Sequence, residues 1–259
     1  MNTKKERFDD LLEQVVQADF SGWDWSFVTN AQRMVSDPLP WNYGRFVREA
    51  LPQARALLDM GTGGGEWLAK LQSAFPPIVC ATEGYEPNFS VARKELEPLG
   101  VQVAFFADDA SLPFEAEAFD LIINQHDSYD PTEVKRLLSP DGRFLTQQVG
   151  GRNEELLNER LGLPGDPSYS DWHVTNAAQA LRDAGFHIEA AREAMVKKRY
   201  TDIGAVVYYL LACPWQAPGF DVKKHRAQLW QMHEEIEARG FLEVEEEYFY
   251  IEAWKSPAK

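Results

Sequence analysis

The chain is 259 residues long, 44% hydrophobic and 26% charged, enough for one large α/β domain with additions or for two small domains, and its apolar content excludes an unfolded polyelectrolyte. Twenty-six Lys and Arg against 41 Asp and Glu leave a formal charge of −15, a long-range barrier to a polyanion that weighs against a nucleic-acid partner. The two cysteines, Cys80 and Cys213, are far apart and in no ligand-like spacing, so neither a disulfide framework nor a metal site is expected, and a reducing cytoplasm fits.

The first residues lead into a charged amphipathic segment and not into the apolar run of a secretory signal. Residues 1–50 carry Trp23, Trp25, Trp41, Phe27 and Tyr43, the composition of a helical N-terminal cap. From Ala54 onward apolar runs alternate with helical patterns, the mark of βαβ units and a mostly parallel sheet. Strands are expected near Ala56–Asp59, Ile78–Thr82, Val101–Ala107, Leu121–Asn124 and Phe144–Val149, the last fed by a turn at Pro140-Asp141-Gly142. Between them fall helices near Glu66–Phe75, where Trp67, Leu71 and Phe75 share a face, near Phe89–Leu99 and near Thr132–Leu138 behind Pro131; another is expected over Thr175–Ala184.

Two longer segments of partial alternation, His187–Thr201 and Phe241–Trp254, enclose an apolar helix near Ile203–Cys213 and a charged one near Val222–Arg239, which reads as a hairpin with a helical insertion. The uncharged stretch 203–220 is broken by Pro214, Pro218 and Gly219 and is too short to span a bilayer, so no membrane contact is expected. Arg192, Lys197, Lys198 and Arg199 form a basic cluster that reads as a solvated strand face. The expected division is a cap over 1–50, a core over 51–201, a helical lid over 202–240 and a final core strand over 241–259.

The most specific feature is Asp59-Met60-Gly61-Thr62-Gly63-Gly64-Gly65, a short apolar run that ends in an acid and opens into glycines. The dinucleotide pattern Gly-x-Gly-x-x-Gly fails here, because Glu66 falls in its last place. An acid in that place repels a pyrophosphate at a helix N-terminus but accepts from a cationic or hydroxyl-bearing ligand. Ile78–Thr82 ends in Glu83, a carboxylate able to take two ribose hydroxyl protons at once. Further on come Asp108-Asp109-Ala110-Ser111-Leu112-Pro113-Phe114 and Phe119-Asp120-Leu121-Ile122-Ile123-Asn124.

With these four motifs in order, the chain resembles the class I S-adenosylmethionine-dependent methyltransferase superfamily, near its ubiquinone-biosynthesis-like type 11 group. The resemblance covers about residues 54–150. It implies a Rossmann-like, doubly wound, mostly parallel seven-stranded sheet with an antiparallel C-terminal hairpin. It also implies S-adenosyl-L-methionine as cofactor, leaving as S-adenosyl-L-homocysteine, with no metal. Cofactor contacts then fall to Asp59, Gly61, Thr62, Gly63, Gly65, Glu83, Gly84, Asp108, Asp109, Ala110, Asn124 and Gln125. Counting back from Leu112-Pro113-Phe114 makes Asp108 the adenine acid, and counting from Ala110 makes it Asp109.

Near the transferred methyl, His126 is placed to take a proton from a hydroxyl acceptor, or else to shape the pocket as a backbone-bonded loop residue. Tyr43, Gln147 and Tyr208 are the candidate acceptor contacts, and Arg33 or Tyr43 is placed to reach the methionine carboxylate. The acidic balance and aromatic content favour a small-molecule acceptor. An rRNA or tRNA base methyltransferase and a non-catalytic cofactor-binding subunit are the competing readings; the chain says nothing of oligomeric state.

Overall fold

The computed structural model describes residues 3–18 and 25–255. Trp23 of the expected cap and residues 256–259 of the expected final strand lie outside the described residues. Eight strands form one sheet: β1 (Met34–Ser36), β2 (Ala56–Met60), β3 (Ile78–Glu83), β4 (Gln102–Phe105), β5 (Phe119–Gln125), β6 (Leu138–Val149), β7 (Phe186–Tyr200) and β8 (Leu242–Lys255). Their order is β1-β7-β8-β6-β5-β2-β3-β4. The strands from β2 to β6 pair in parallel, β8 runs antiparallel between β6 and β7, and β1 is antiparallel to β7.

The mostly parallel sheet with its C-terminal hairpin is as the sequence implies, and β1 is an eighth strand inside a segment expected to be helical. Three residues are too few to show a period of two. Met34-Val35-Ser36 becomes a strand only because the edge of β7 at Lys198–Tyr200 offers unpaired backbone groups. The helix expected over Glu66–Phe75 is shorter as well: it ends at Ala69, a 3-10 turn follows at Gln72–Ala74, and Phe75 is extended. Pro76-Pro77 removes the α region from the residue before it. The Pro140-Asp141-Gly142 turn is a bulge within β6, where pairing jumps from Phe119–Leu138 to Leu121–Arg143 and Asp141 takes φ +61°.

Apolar residues on both faces keep β2 at the centre, since a parallel strand covered by helices on each side needs no polar face. Leu58 and Met60 join a cluster with Val134 and Leu137 of the Pro131–Leu137 helix and Leu181 of the Val174–Asp183 helix. Leu57 faces the other way, among Val47 of the Tyr43–Ala50 helix and Ala92 and Leu96 of the Glu86–Leu96 helix.

A third cluster lies where the far end of the β7–β8 hairpin meets the helices. It joins Phe8 and Leu12 of the Lys4–Val16 helix, Val206 and Leu210 of the Ile203–Ala212 helix and Met232 and Ile236 of the Arg226–Arg239 helix to Leu242 and Val244 of β8. The expected cap therefore divides, its first helix packing with the late insertion and its last helix with the sheet. Alternation along β7 turns Val196, Lys198 and Tyr200 inward. Lys198 is buried where a solvated face was expected, while Arg192 and Lys197 are exposed.

Candidate cofactor and acceptor site

The loop after β2 needs its glycines for conformation and for space. Gly61, Gly63 and Gly65 have φ of +68°, +63° and +87°, a region costly to residues with a Cβ. A Cβ on Gly61 would lie 2.0 Å from Asp127 Oδ2, so the approach of the β5 loop to the glycine loop requires glycine there. Thr62 N–H donates to Thr82 O at 2.9 Å, tying the loop to β3.

Four carboxylates meet around this loop, each delivered by the C-terminal end of a neighbouring parallel strand: Asp59 from β2, Glu83 from β3, Asp109 from the turn after β4 and Asp127 from the loop after β5. Asp59 is only 5% exposed; burial pushes its pKa up to about 7, the nearby Thr62 side chain opposes the rise, and the charges of Asp127 and Glu83 add to it. Burial also lifts Asp127 to about 7, helped by the charges of Asp109 and Glu83. Glu83 is raised by burial too, opposed by backbone N–H groups of Tyr85, Gly63 and Gly84, the first at 2.7 Å from Oε1. Among the described residues no basic side chain is a leading cause of these shifts.

That environment fits S-adenosylmethionine, which carries a sulfonium and an ammonium, and it does not fit a pyrophosphate. Asp127 joins this group without belonging to any of the four motifs. Its signal was its place, directly after His126 where a parallel strand ends.

The other expected contacts sort themselves by position. Asp108 is exposed, with Oδ1 accepting Ala110 N–H at 2.9 Å, whereas Asp109 lies close enough to raise Asp127. Gly84 packs under Phe106, whose Cζ would be 3.1 Å from a Cβ there. Asn124 is fully buried and holds three strands together, with Nδ2 donating to Met60 O at 3.4 Å and Oδ1 accepting from Thr146 Oγ1 at 2.9 Å and from Gln148. Gln125 is half-buried at the end of β5, beside Gln147 of β6.

Three further residues have protein partners of their own, although Tyr43 lies near enough to Asp59 to feel its charge. Arg33 is held by Asp202 through two bonds of 2.7 Å, so its guanidinium joins the N-terminal segment to the Ile203–Ala212 helix and does not serve a cofactor carboxylate. The Tyr43 hydroxyl lies between the carbonyls of Asn124 and Leu145, at 3.1 and 3.2 Å, and accepts from Asn124 N–H, so it is committed to the strand backbones. Tyr208 is 4% exposed and stacks on Phe27 at 4.9 Å within the helical cluster, which makes it a packing residue there.

His126 and Gln147 do come together, with Gln147 Nε2 3.1 Å from His126 Nε2 and Trp41 Nε1 donating to Gln147 Oε1 at 2.9 Å. Tyr248 flanks the His126 ring at 5.6 Å. Surrounding protein pushes the His126 pKa down to about 4 while the charge of Glu246 pulls it up; water reaching the exposed side chain opposes the shift as well, so the group is neutral at pH 7. Behind this wall Lys198 Nζ is buried between Glu154 Oε1 at 2.6 Å and Glu246 Oε1 at 2.7 Å, with Tyr200 donating to Glu154 and Tyr248 to Glu246. Two open surface grooves, one beside the Lys4–Val16 helix and one along β7 and β8, include none of the glycine-loop residues.

Residues 57–142, from β2 into β6, match the family model described as Methyltransferase domain. No curated protein is significantly similar to the chain. Among solved structures it is similar to a S-adenosylmethionine-dependent methyltransferase of Methanosarcina mazei, with TM-score 0.52 and 16% identity over 86% of this chain and 100% of that one. It is also similar to a functionally unknown protein of Deinococcus radiodurans, with TM-score 0.59 and 17% identity over 90% and 100% of the two chains. The cyclase SpnF matches at TM-score 0.53 and 15% identity, over 97% of this chain and 95% of that one. The match over residues 57–142 and the shared fold together liken the chain to S-adenosylmethionine-dependent methyltransferases, with the Rossmann-like sheet of those solved structures. Among the described residues no helix is long and apolar enough to cross a membrane.

Proposed function

We propose that the protein transfers the methyl group of S-adenosyl-L-methionine to a small-molecule acceptor. The observation that carries this reading is the convergence of Asp59, Glu83, Asp109 and Asp127 on the glycine loop, without a basic partner, at the carboxyl edge of the parallel strands. When bound, the cofactor supplies an electrophilic methyl on sulfur, and the chain supplies alignment and a water-poor surround. Asp59, Gly61, Thr62, Gly63 and Gly65 cradle the methionine portion, where Asp59 and Asp127 favour positive charge. Glu83 and Gly84 take the ribose, with Glu83 accepting from its hydroxyls, and the Asp108-Asp109-Ala110 turn takes the adenine. Asn124 fixes the end of β5, so that Gln125 and His126 are set beside Gln147 on the acceptor side.

The net charge of −15 supports a small acceptor over RNA, and the Trp41 and Tyr248 rings near His126 and Gln147 give the acceptor an apolar surround. The test is incubation with methyl-labelled cofactor and either a low-mass metabolite extract or total RNA from the same cells. Label in the low-mass fraction is expected. Label in RNA, or in neither fraction by a protein that binds the cofactor, contradicts the assignment.

A further inference from the structure

Trp41, Gln147 and His126 form a hydrogen-bond chain whose direction is fixed by its first member. An indole N–H can only donate, so the Gln147 atom 2.9 Å from Trp41 Nε1 is the amide oxygen. The other end of that amide, Nε2, is then a donor, and it lies 3.1 Å from His126 Nε2. Turning the amide over would set two N–H groups face to face among side chains of which Trp41 is 9% and Gln147 5% exposed, leaving buried donors unpartnered. His126 Nε2 must therefore present a lone pair, and the neutral ring carries its proton on Nδ1.

The backbone adds a second constraint. His126 has φ +62°, a left-handed conformation uncommon for a side-chain-bearing residue, and it is held there by its N–H donating to Gln147 O at 2.8 Å. Rotating the ring by half a turn would put carbon where Nε2 is and lose the Gln147 bond. Nδ1 has no hydrogen-bond partner among the described residues, and the side chain is exposed beside Asp127, which touches the glycine loop. A base at this position would have only the Nε2 lone pair to offer, and that lone pair faces the amide. A proton taken up there would oppose the amide N–H of Gln147.

We propose that His126 is a hydrogen-bond donor, through Nδ1–H, to the oxygen of a neutral carbonyl-containing acceptor, and not the base that deprotonates it. Trp41 and Gln147 are positioning residues that set its tautomer. A neutral oxygen suits the place better than an anionic one, because the charge of Glu246 reaches the His126 ring and Asp127, the next residue, stands among Asp109 and Glu83. The acceptor half of this proposal rests on the methyl-transfer reading; the tautomer does not.

The test is long-range proton–nitrogen correlation NMR of the full chain labelled with 15N-histidine, with His126→Asn to assign the ring among the five histidines. The expected spectrum shows the Nδ1–H tautomer in excess by about tenfold or more, the weight of one buried unpaired donor. Gln147→Glu should reverse it, since a carboxylate accepts from Trp41 with one oxygen and from His126 Nε2–H with the other. Trp41→Phe, which frees the amide to turn, should give a mixture. Millimolar acetophenone should move the His126 Nδ1 signal, and benzylamine should not. An Nε2–H or evenly mixed wild type, a Gln147→Glu spectrum like the wild type in folded protein, or a response to benzylamine or to neither probe overturns the proposal. Calorimetric titration of S-adenosylmethionine into the same samples separates the two readings: a locked tautomer without cofactor binding refutes methyl transfer alone.

Discussion

Asp127→Asn removes one of four carboxylates around the glycine loop while keeping the shape that touches Gly61, and its effect should depend on pH. Asp59 and Asp127 both stand at about 7 in the folded, ligand-free protein, from a usual value of 3.8. The folded protein thus holds protons that the unfolded chain has released. Ionising these groups costs folded-state stability; the cost is absent below the unfolded value, grows as pH rises and is complete above about 7. For Asp59, moved from 3.8 to about 7, the cost is on the order of 4 kcal/mol. Asp127 is half-buried, and solvent screening makes its own cost smaller.

Denaturant unfolding at pH 5 and pH 8 should show the wild type losing stability between the two. Asp127→Asn should recover about 1 to 2 kcal/mol at pH 8, the weight of one like-charge contact in partly solvated surroundings, and less than half of that at pH 5, where only the lower part of the interval between 3.8 and about 7 has been crossed. A cationic ligand reverses the same sign. S-adenosylmethionine should bind more tightly as pH rises toward 7, by up to about tenfold per pH unit for each acid, releasing protons that calorimetry in two buffers detects. Parallel pH profiles for wild type and variant, or binding that is flat from pH 6 to pH 8 without proton release, would refute the like-charge cluster.

Gly61→Ala combines left-handed strain of about 1 to 2 kcal/mol with a contact against Asp127, and should weaken cofactor binding at least tenfold with an unchanged circular dichroism spectrum; near-wild-type affinity would contradict the cradle. Lys198→Met leaves Glu154 and Glu246 buried without their cation and should cost about 3 to 5 kcal/mol in denaturant unfolding, against which a loss below about 1 kcal/mol would count. Asp202→Ala releases Arg33 and removes the N-cap bond to Ala205, so limited proteolysis should cut the N-terminal segment sooner while calorimetry shows unchanged cofactor affinity; weaker affinity would restore Arg33 to the site.

The parallel strands were readable because short continuous apolar runs that end in polar residues or glycine are a local signal, and β2, β3 and β5 fall within a residue or two of their expected spans. β1 and the shortened Glu66–Ala69 helix were not, since one depends on a partner edge 162 or more positions away and the other on the two prolines behind it. Glycine, acid and spacing announced Asp59 and Glu83. Asp127 carries no motif beyond its place at the end of a parallel strand, and the approach of the β5 loop to Gly61 joins it to the acids of the loop.

Arg33, Tyr43 and Tyr208 show the opposite failure. Their residue types suit ligands, but Asp202, the strand carbonyls and Phe27 hold them instead. Lys198 fell in a basic run whose alternation, more than its charge, decided that it faces inward. A cyclase shares this fold, so the acceptor chemistry has to be argued from the wall made by Trp41, Gln147 and His126, not from topology.

The central claim is that the acid-lined glycine loop holds S-adenosylmethionine. Isothermal titration of the folded protein with S-adenosylmethionine and S-adenosylhomocysteine, with NADH as control and Glu83→Ala as the paired variant, tests it most directly. Binding of both sulfur ligands, weakened at least tenfold by the variant, and no binding of NADH is the expected result. Preference for NADH, or no heat with either sulfur ligand, would contradict it.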